Sequence, residues 1–417
     1  MKKFVRIFLC GILVSAFSLV NASPVDTIRV VTYNILNFPE GMGEERIGYF
    51  RVIMDYIHPD IVVAQEVDDV GGLNLFLDSV MNYETDSFET APFNPGEQYN
   101  YNSLFYRTTK VTHDSTKFLQ VWPRDIAEYY LRTVSTQKQF RILSLHLKAS
   151  QDCETERLMA AAILRNHLGS CEVGTNFLVA GDFNIYYSDE PAFHKLTDSL
   201  ANNNGRLYDP LNAPGYWHNH SEFAPIHSQS TRVTQLPDGG SPGGLDDRFD
   251  MILCSVTFLE SEGLCLVTDT YTTFGNDGNH FNRAVNSGFN SAVPSNVANA
   301  LHYASDHLPV YTDIEVEESG TELFNRYEFC LYNYPNPFSS ETTIEYTLAM
   351  KDEVVLEIYD IVGRRVRTLM NTIQPEGLYR VVWDGKNDAA QSVLSGVYFC
   401  RISFGNSSHT KKIILLH

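Results

Sequence analysis

Six short apolar runs in the first 316 residues each begin or end on a polar side chain, and this pattern limits the folds open to the chain. Residues 28–35, rich in β-branched and aromatic side chains, run out through Thr32-Tyr33-Asn34. Residues 60–67 close on Gln65-Glu66, and residues 139–147 on Ser144-Leu145-His146. Residues 176–180 deliver Gly181-Asp182-Phe183-Asn184. Residues 249–256 follow Asp246-Asp247-Arg248 and carry Asp250 near their start, while residues 308–316 are entered from Ser305-Asp306-His307. Such runs read as strands, whereas 44–57, 72–81, 154–168 and 190–200 read as helices. Strands alternating with helices specify an α/β fold, where sites form at converging strand ends.

That convergence has a chemical consequence. Asn34, Glu66, His146, Asp182, Asn184, Asp250, Asp306 and His307 all lie at or near strand ends. Gathered carboxylates repel each other and cost desolvation unless a cation neutralises them. Hard oxygen donors with no cysteine among them point to magnesium, manganese or calcium rather than zinc. Two imidazoles beside such a centre suit an anionic substrate whose charge rises in the transition state. The set therefore reads as metal-assisted hydrolysis of a phosphate ester. Taken singly, each residue has a blander reading: a core histidine for His146, an Asx turn at Asp182, an ion pair of Asp250 with Arg248.

The ends of the chain differ from its middle. Lys2 and Lys3 precede an apolar run over 7–20, and Val20-Asn21-Ala22 offers small residues for cleavage, so residues 1–22 read as a secretory signal. The run is short for a membrane span, and no span is expected in the mature chain. Without Cys10, six of the seven cysteines remain, and an exported protein permits disulfides; Cys153 with Cys171 and Cys254 with Cys265 are the nearest pairs. The formal net charge of −20 argues against a broad basic surface for nucleic acid, though not against a local phosphate site. Residues 202–246 and 272–299 read as long loops, and 88–102 as a shorter one. Residues 317–330 form a linker. Beyond it come short alternating strands at 342–348, 353–359, 365–370, 378–383, 396–403 and 409–415, an all-β sandwich.

The motifs Thr32-Tyr33-Asn34, Gln65-Glu66-Val67, Ser144-Leu145-His146, Gly181-Asp182-Phe183-Asn184, Arg248-Phe249-Asp250 and Ser305-Asp306-His307-Leu308-Pro309 resemble, in order, those of the endonuclease/exonuclease/phosphatase superfamily. The resemblance covers residues 26–316. It implies a DNase I-like four-layer α/β/β/α sandwich of two mixed sheets with helices outside. It further implies that Glu66 is the main magnesium ligand with Asn34 and Asp306 near it. Asp182, helped by Asn184, would orient or deprotonate the attacking water. His307, held by Asp250, would contact the scissile phosphate, with His146 a second phosphate or leaving-group contact and Lys148 a substrate contact. Val67-Asp68-Asp69 stands where DNA-cleaving members tend to place an arginine, and His146-Leu147-Lys148 is closer to the phosphatase-like and RNA-trimming branches.

Residues 331–417 resemble the type A sorting domain of type IX secretion, an immunoglobulin-like sandwich. The resemblance rests on Asn333-Tyr334-Pro335-Asn336-Pro337-Phe338, Ile358-Tyr359-Asp360, Gly363-Arg364, Trp383-Asp384-Gly385, Ser395-Gly396-Val397-Tyr398-Phe399 and Lys411-Lys412. It implies the type IX machinery as a partner and a secreted or cell-surface location. The expectation is an exported, magnesium-dependent phosphodiester hydrolase, first of all a nuclease acting on DNA or RNA, and monomeric. The alternatives are a phosphomonoesterase or sphingomyelinase-like enzyme of the same superfamily, and a non-enzymatic surface adhesin.

Overall fold

The strand β1 (Asp26–Phe38) is apolar on both faces, and each face completes a different core. Ile28 and Val30 enter one core, and Val31, Tyr33 and Ile35 the other. A strand buried on both sides reads as a continuous apolar run rather than an alternating one. In this computed structural model β1 lies inside a six-stranded sheet. Its order is β10 (Leu264–Thr273), β11 (Val310–Val316), β1, β2 (Ile61–Val67), β4 (Tyr101–Arg107), β3 (Phe88–Thr90). A second sheet runs β5 (Val111–Leu119), β6 (Ile126–Thr133), β7 (Gln139–His146), β8 (Phe177–Asp182), β9 (Asp250–Cys254). The structure describes residues 26–84, 87–92, 101–200, 202–259, 263–317, 331–334, 336, 338–348, 351–375, 377–405 and 407–416. The expected signal at 1–22, nearly all of the linker, and Cys330 lie outside these residues.

The two sheets face each other across one core. Ile28, Val30, Ile61 and Val63 of the first meet Tyr129, Ile142, Leu178 and Ile252 of the second. Their outer faces are covered by helices. On the first sheet α1 (Gly43–Ile57), α2 (Val70–Phe76) and α5 (Ser295–Ala304) bury Phe50, Ile53, Leu73, Phe76, Val297 and Leu301. On the second, α3 (Glu154–Gly169) and α4 (Pro191–Thr197) bury Ala160, Leu164, Phe193 and Leu196 against Leu143, Leu145 and Val179. This is the four-layer α/β/β/α sandwich. Phe50 stacks edge-on against Tyr33, Phe38 and Phe76 at 5.2–5.8 Å; truncating such a ring costs about 3–5 kcal/mol. Helix α1 stops where His58 turns left-handed at φ 52 and gives its N–H to Met54 O, because Pro59 cannot continue it.

Several elements differ from the sequence expectation. Strand β3 lies inside the expected 88–102 loop, and β5 and β10 add edge strands that the apolar pattern did not announce. In β5 only Val111 is fully buried, so no alternation marks it. Strand β10 is interrupted by a register shift between Val267 and Thr272. Helix α5 straddles the end of the expected 272–299 loop; its Val297, Ala300, Leu301 and Ala304 keep helical spacing behind an Asn- and Gly-rich approach. Helix α2 ends at Phe76 and is followed by a π-helical turn over Leu77–Met81. The thiols of Cys153, Cys171 and Cys254 are free, so neither nearest pair forms a disulfide.

The chain divides into two compact units, residues 1–319 and 320–417. The second unit is all β. A three-stranded sheet, β12 (Leu331–Tyr334), β13 (Thr342–Leu348), β16 (Gly377–Trp383), and a four-stranded sheet, β15 (Arg365–Gln374), β14 (Asp352–Asp360), β17 (Gly396–Phe404), β18 (Ser407–Leu415), are both antiparallel. They close over Ile344, Tyr346, Val354, Leu356, Trp383, Ile402 and Ile413. Strand β12 is an addition to the strands expected there.

Candidate active site

Strand register brings the polar ends together. Strands β1 and β2 run parallel with Asn34 opposite Gln65, which sets Glu66 at the same end of the sheet. Across the inner core, β7 and β8 also run parallel and pair His146 with Asp182. Strand β9 starts antiparallel beside them, with Asp250 opposite Asp182. Strand β11 enters antiparallel to β1, Val310 opposite Thr32, so Asp306 and His307 arrive at this same edge.

The backbone bends to aim these side chains. Glu66 has φ 62, and Leu36 and Asn37 after Asn34 have φ 53 and 42. Non-glycine residues held in this region cluster where surrounding structure enforces them at functional sites. Gly181, at φ 153, has no alternative: a Cβ there would fall 1.9 Å from Leu145 O of the neighbouring strand.

The contacts form one network. Asn34 Nδ2 donates to Glu66 Oε1 at 3.0 Å and to Asp182 Oδ2 at 3.2 Å. Asn37 N donates to Glu66 Oε2 at 3.1 Å, and Asn184 N to Asp182 Oδ1 at 3.0 Å. His146 Nε2 lies 3.4 Å from Asp182 Oδ2 and 3.8 Å from Glu66 Oε1. His307 Nδ1 donates to Asp250 Oδ2 at 2.7 Å, and its Nε2 is 3.8 Å from Asp182 Oδ2. Ser305 Oγ ties the last motif to the first by donating to Asn34 O at 2.7 Å. Asn34, expected as a cation ligand, turns its amide nitrogen toward Glu66 and Asp182, and its Oδ1 accepts from Leu36 N at 3.0 Å. Lys148 makes no hydrogen bond or ion pair with the site acids among the described residues.

Burial and charge push the titrating groups apart. Burial raises the Asp182 carboxyl to about 7, with His307 pulling it down and Asp250 and Glu66 pushing it up. Burial, then the charge of Asp306, raises Glu66. Burial opposes charge on His307, but Asp250, Asp306 and Asp182 outweigh it and hold its imidazole protonated well above the usual range. His146 goes the other way: burial, then the charges of Arg124, His307 and Lys148, keep it neutral.

Two residues of the site carry no sequence motif. Arg124, on the turn before β6, lies close enough to Glu66 and Asp182 to feel both charges. Its position just ahead of a strand, as with Asp306 and His307, was the available signal. Gln229 sits in the aperiodic 202–246 region, which announced nothing residue by residue. Its Nε2 donates to Asp306 Oδ2 at 3.1 Å and lies 2.7 Å from His307 Nε2. The same region supplies Ser241 N to Asp306 Oδ2 at 2.7 Å.

The donor set fits a divalent cation. Oδ1 of Asp306 is buried with no hydrogen-bond partner. Glu66, Asp182, Asp250 and Asp306 oppose two positive groups, Arg124 and protonated His307. The acids outnumber the positive groups, and Asp182, raised to about 7, carries only part of its charge at neutral pH; a cation would offset the excess. Unpartnered buried oxygen of this kind is costly unless an ion or water takes it.

The sequence model of the Endonuclease/Exonuclease/phosphatase family matches residues 31–307. The chain belongs to the endonuclease/exonuclease/phosphatase family. Hydrolases of this family are generally dependent on divalent metals. The secretion system C-terminal sorting domain matches residues 333–416. This endonuclease/exonuclease/phosphatase protein is thus directed by type IX secretion to the cell surface or beyond it. No helix among the described residues is long and apolar enough to cross a membrane. Among solved structures, the chain is similar to the human Nocturnin catalytic domain, with 17% identity over 70% of this chain and 95% of that one, TM-score 0.45. An endonuclease/exonuclease/phosphatase family protein from Bacteroides thetaiotaomicron matches at 14% identity over 71% and 100%, TM-score 0.44. TDP2 from C. elegans matches at 12% identity over 70% and 77%, TM-score 0.46. No curated protein matches the chain.

Proposed function

We propose that this hydrolase is a divalent-metal-dependent phosphodiesterase, first of all a nuclease, with magnesium as the expected ion. The observation that carries the reading is the opposite poise of two neighbours: a protonated His307 fixed by Asp250, 3.8 Å from an Asp182 carboxyl raised to about 7. A base is most effective with a pKa near the working pH, and a fixed cation suits a phosphoryl oxygen that gains charge.

The roles follow from the contacts. Asp182, oriented by Asn34 and Asn184, takes a proton from the attacking water. His307 presents Nε2–H to a non-bridging oxygen; a protonated ring and the Gln229 amide nitrogen 2.7 Å away are both donors, so that amide turns aside. Arg124 adds positive charge on the side of Glu66 and Asp182. His146, neutral, offers Nε2 at the leaving side. Glu66 and Asp306, with Asn34 beside them, would hold the cation, which when bound supplies Lewis-acid stabilisation of the phosphoryl charge. Lys148 remains a candidate for a substrate contact from solvent.

Glu40, Asp68 and Asp69 follow the site along the β1 and β2 ends, and Asp68 is raised by burial and by those two acids. This negative rim favours a second reading, a small phosphate ester of the phosphomonoesterase or sphingomyelinase-like kind. Both readings are tested by incubating the protein with DNA, RNA, sphingomyelin and sugar phosphates, with and without EDTA. EDTA-sensitive cleavage of nucleic acid supports the first; inorganic phosphate or phosphocholine release with nucleic acid untouched supports the second. No EDTA-sensitive release from any of them sinks both.

A further inference from the structure

Trp122 stands apart from the other two tryptophans of the chain. Trp217 and Trp383 are fully buried, whereas Trp122 is 61% exposed. Exposure of a single apolar side chain is ordinary; what sets Trp122 apart is the turn it shares with Arg124. The turn that carries it is not loose. Val121, just before it, is buried. Val121 N donates to Asp125 Oδ1 at 3.2 Å, and Asn102 Nδ2 donates to Asp125 O at 2.9 Å. Two residues beyond Trp122, the Arg124 guanidinium reaches His146 O and Leu147 O at 3.4 and 3.5 Å, beside the site acids. One tied turn therefore presents a cation to the catalytic centre and a bare aromatic face to solvent.

We propose that Trp122 is a stacking platform for a nucleobase flanking the scissile phosphate. The proposal rests on the nuclease reading of the site. A guanidinium followed closely by an indole matches a phosphate followed closely by a base. An aromatic face accepts any base, and losing such a stack weakens binding by about five- to 150-fold. The alternative occupant of an exposed indole is a lipid surface.

The test reads binding without turnover, on the full chain with EDTA present. Because the other two indoles are buried, acrylamide-sensitive emission reports Trp122. A dinucleotide is expected to quench that emission and shield it from acrylamide, while the abasic dinucleotide, with the same phosphate, does neither. Trp122→Ala is expected to weaken dinucleotide binding about tenfold and leave abasic binding unchanged, with Trp122→Phe restoring most of the loss. Under turnover, KM for the dinucleotide rises by a similar factor with kcat nearly constant. Equal affinity for both ligands, or equal loss for both in Trp122→Ala, overturns the proposal. Quenching by phosphatidylcholine vesicles but not by dinucleotide overturns it in favour of a membrane contact. Dinucleotide hydrolysis without quenching overturns the platform alone; quenching without hydrolysis of any nucleic acid overturns the nuclease reading alone.

Discussion

Oδ2 of Asp250 accepts a hydrogen bond from Nδ1 of His307 at 2.7 Å, and strand register sets Asp250 directly opposite Asp182. One carboxylate therefore does two things. It fixes the ring of His307 with Nε2 facing the site and keeps the ring charged, and its own charge helps hold the neighbouring Asp182 near neutrality. The account of catalysis rests on this coupling, and the variants below separate its parts.

Asp250→Asn preserves shape and removes the charge. His307 then loses its main source of protonation. Activity needs His307 protonated, so it falls as pH rises through that group's pKa, and the variant moves this fall to lower pH. We expect kcat/KM to drop about 10²–10⁴-fold at pH 7 with the fold intact. A pH–rate profile checks both.

Asp182→Asn removes the base. In the native chain activity rises with pH as Asp182 loses its proton near 7, and added divalent cation shifts that rise downward. The carboxyl is raised in the folded state, so its ionisation opposes folding increasingly as pH climbs from about 4 to about 7. Asn carries no such cost. In EDTA at pH 8 the variant should be more stable by about 1–2 kcal/mol while losing about 10²–10⁴-fold in rate. Thermal melts and initial rates decide it.

Arg46 is a buried guanidinium that donates to Ile35 O, Leu36 O, Glu40 O and Ala304 O at 2.7–3.1 Å. It binds the left-handed turn after Asn34 to the end of α5, one residue before Ser305. Arg46→Ala leaves four carbonyls short of a donor and should cost about 2–5 kcal/mol. Arg46→Lys should recover part of it. Magnesium affinity, read by calorimetry, should weaken in both, because Asn37, which donates to Glu66, lies on one joined segment and Asp306 lies just past the other.

Each unit has its own core. A chain ending at residue 317 should therefore retain hydrolytic activity and stay inside the outer membrane. Fractionation with a phosphodiesterase assay checks this; activity in the medium without residues 333–416 would break the link between the sorting domain and export.

Much of the site was legible because its residues sit on strands. Asn34, Glu66, His146, Asp182, Asp250 and His307 end or begin apolar runs, and strand pairing carries such ends to one edge. Arg124 and Gln229 come from loops, where no period constrains a side chain. Gln229 reaches Asp306 and His307 only because Thr231 Oγ1 donates to Ser305 O and Ser228 O accepts from Leu308 N. Those are contacts between segments some seventy residues apart, which a linear pattern does not encode. Asn34 is a further case: residue type named the position, and the neighbours decide which end of the amide faces the acids. Edge strand β5 was missed for the same physical reason. At the sheet margin it buries only Val111, so neither of its faces carries an apolar row.

The most direct measurement is the initial rate of phosphodiester cleavage by the full chain in magnesium, beside His307→Ala and Asp182→Asn, with circular dichroism confirming that each is folded. The account predicts cleavage that EDTA abolishes and magnesium restores, and a loss of at least about 10²-fold in either variant. An undiminished rate in either folded variant, or a rate indifferent to EDTA, would contradict it.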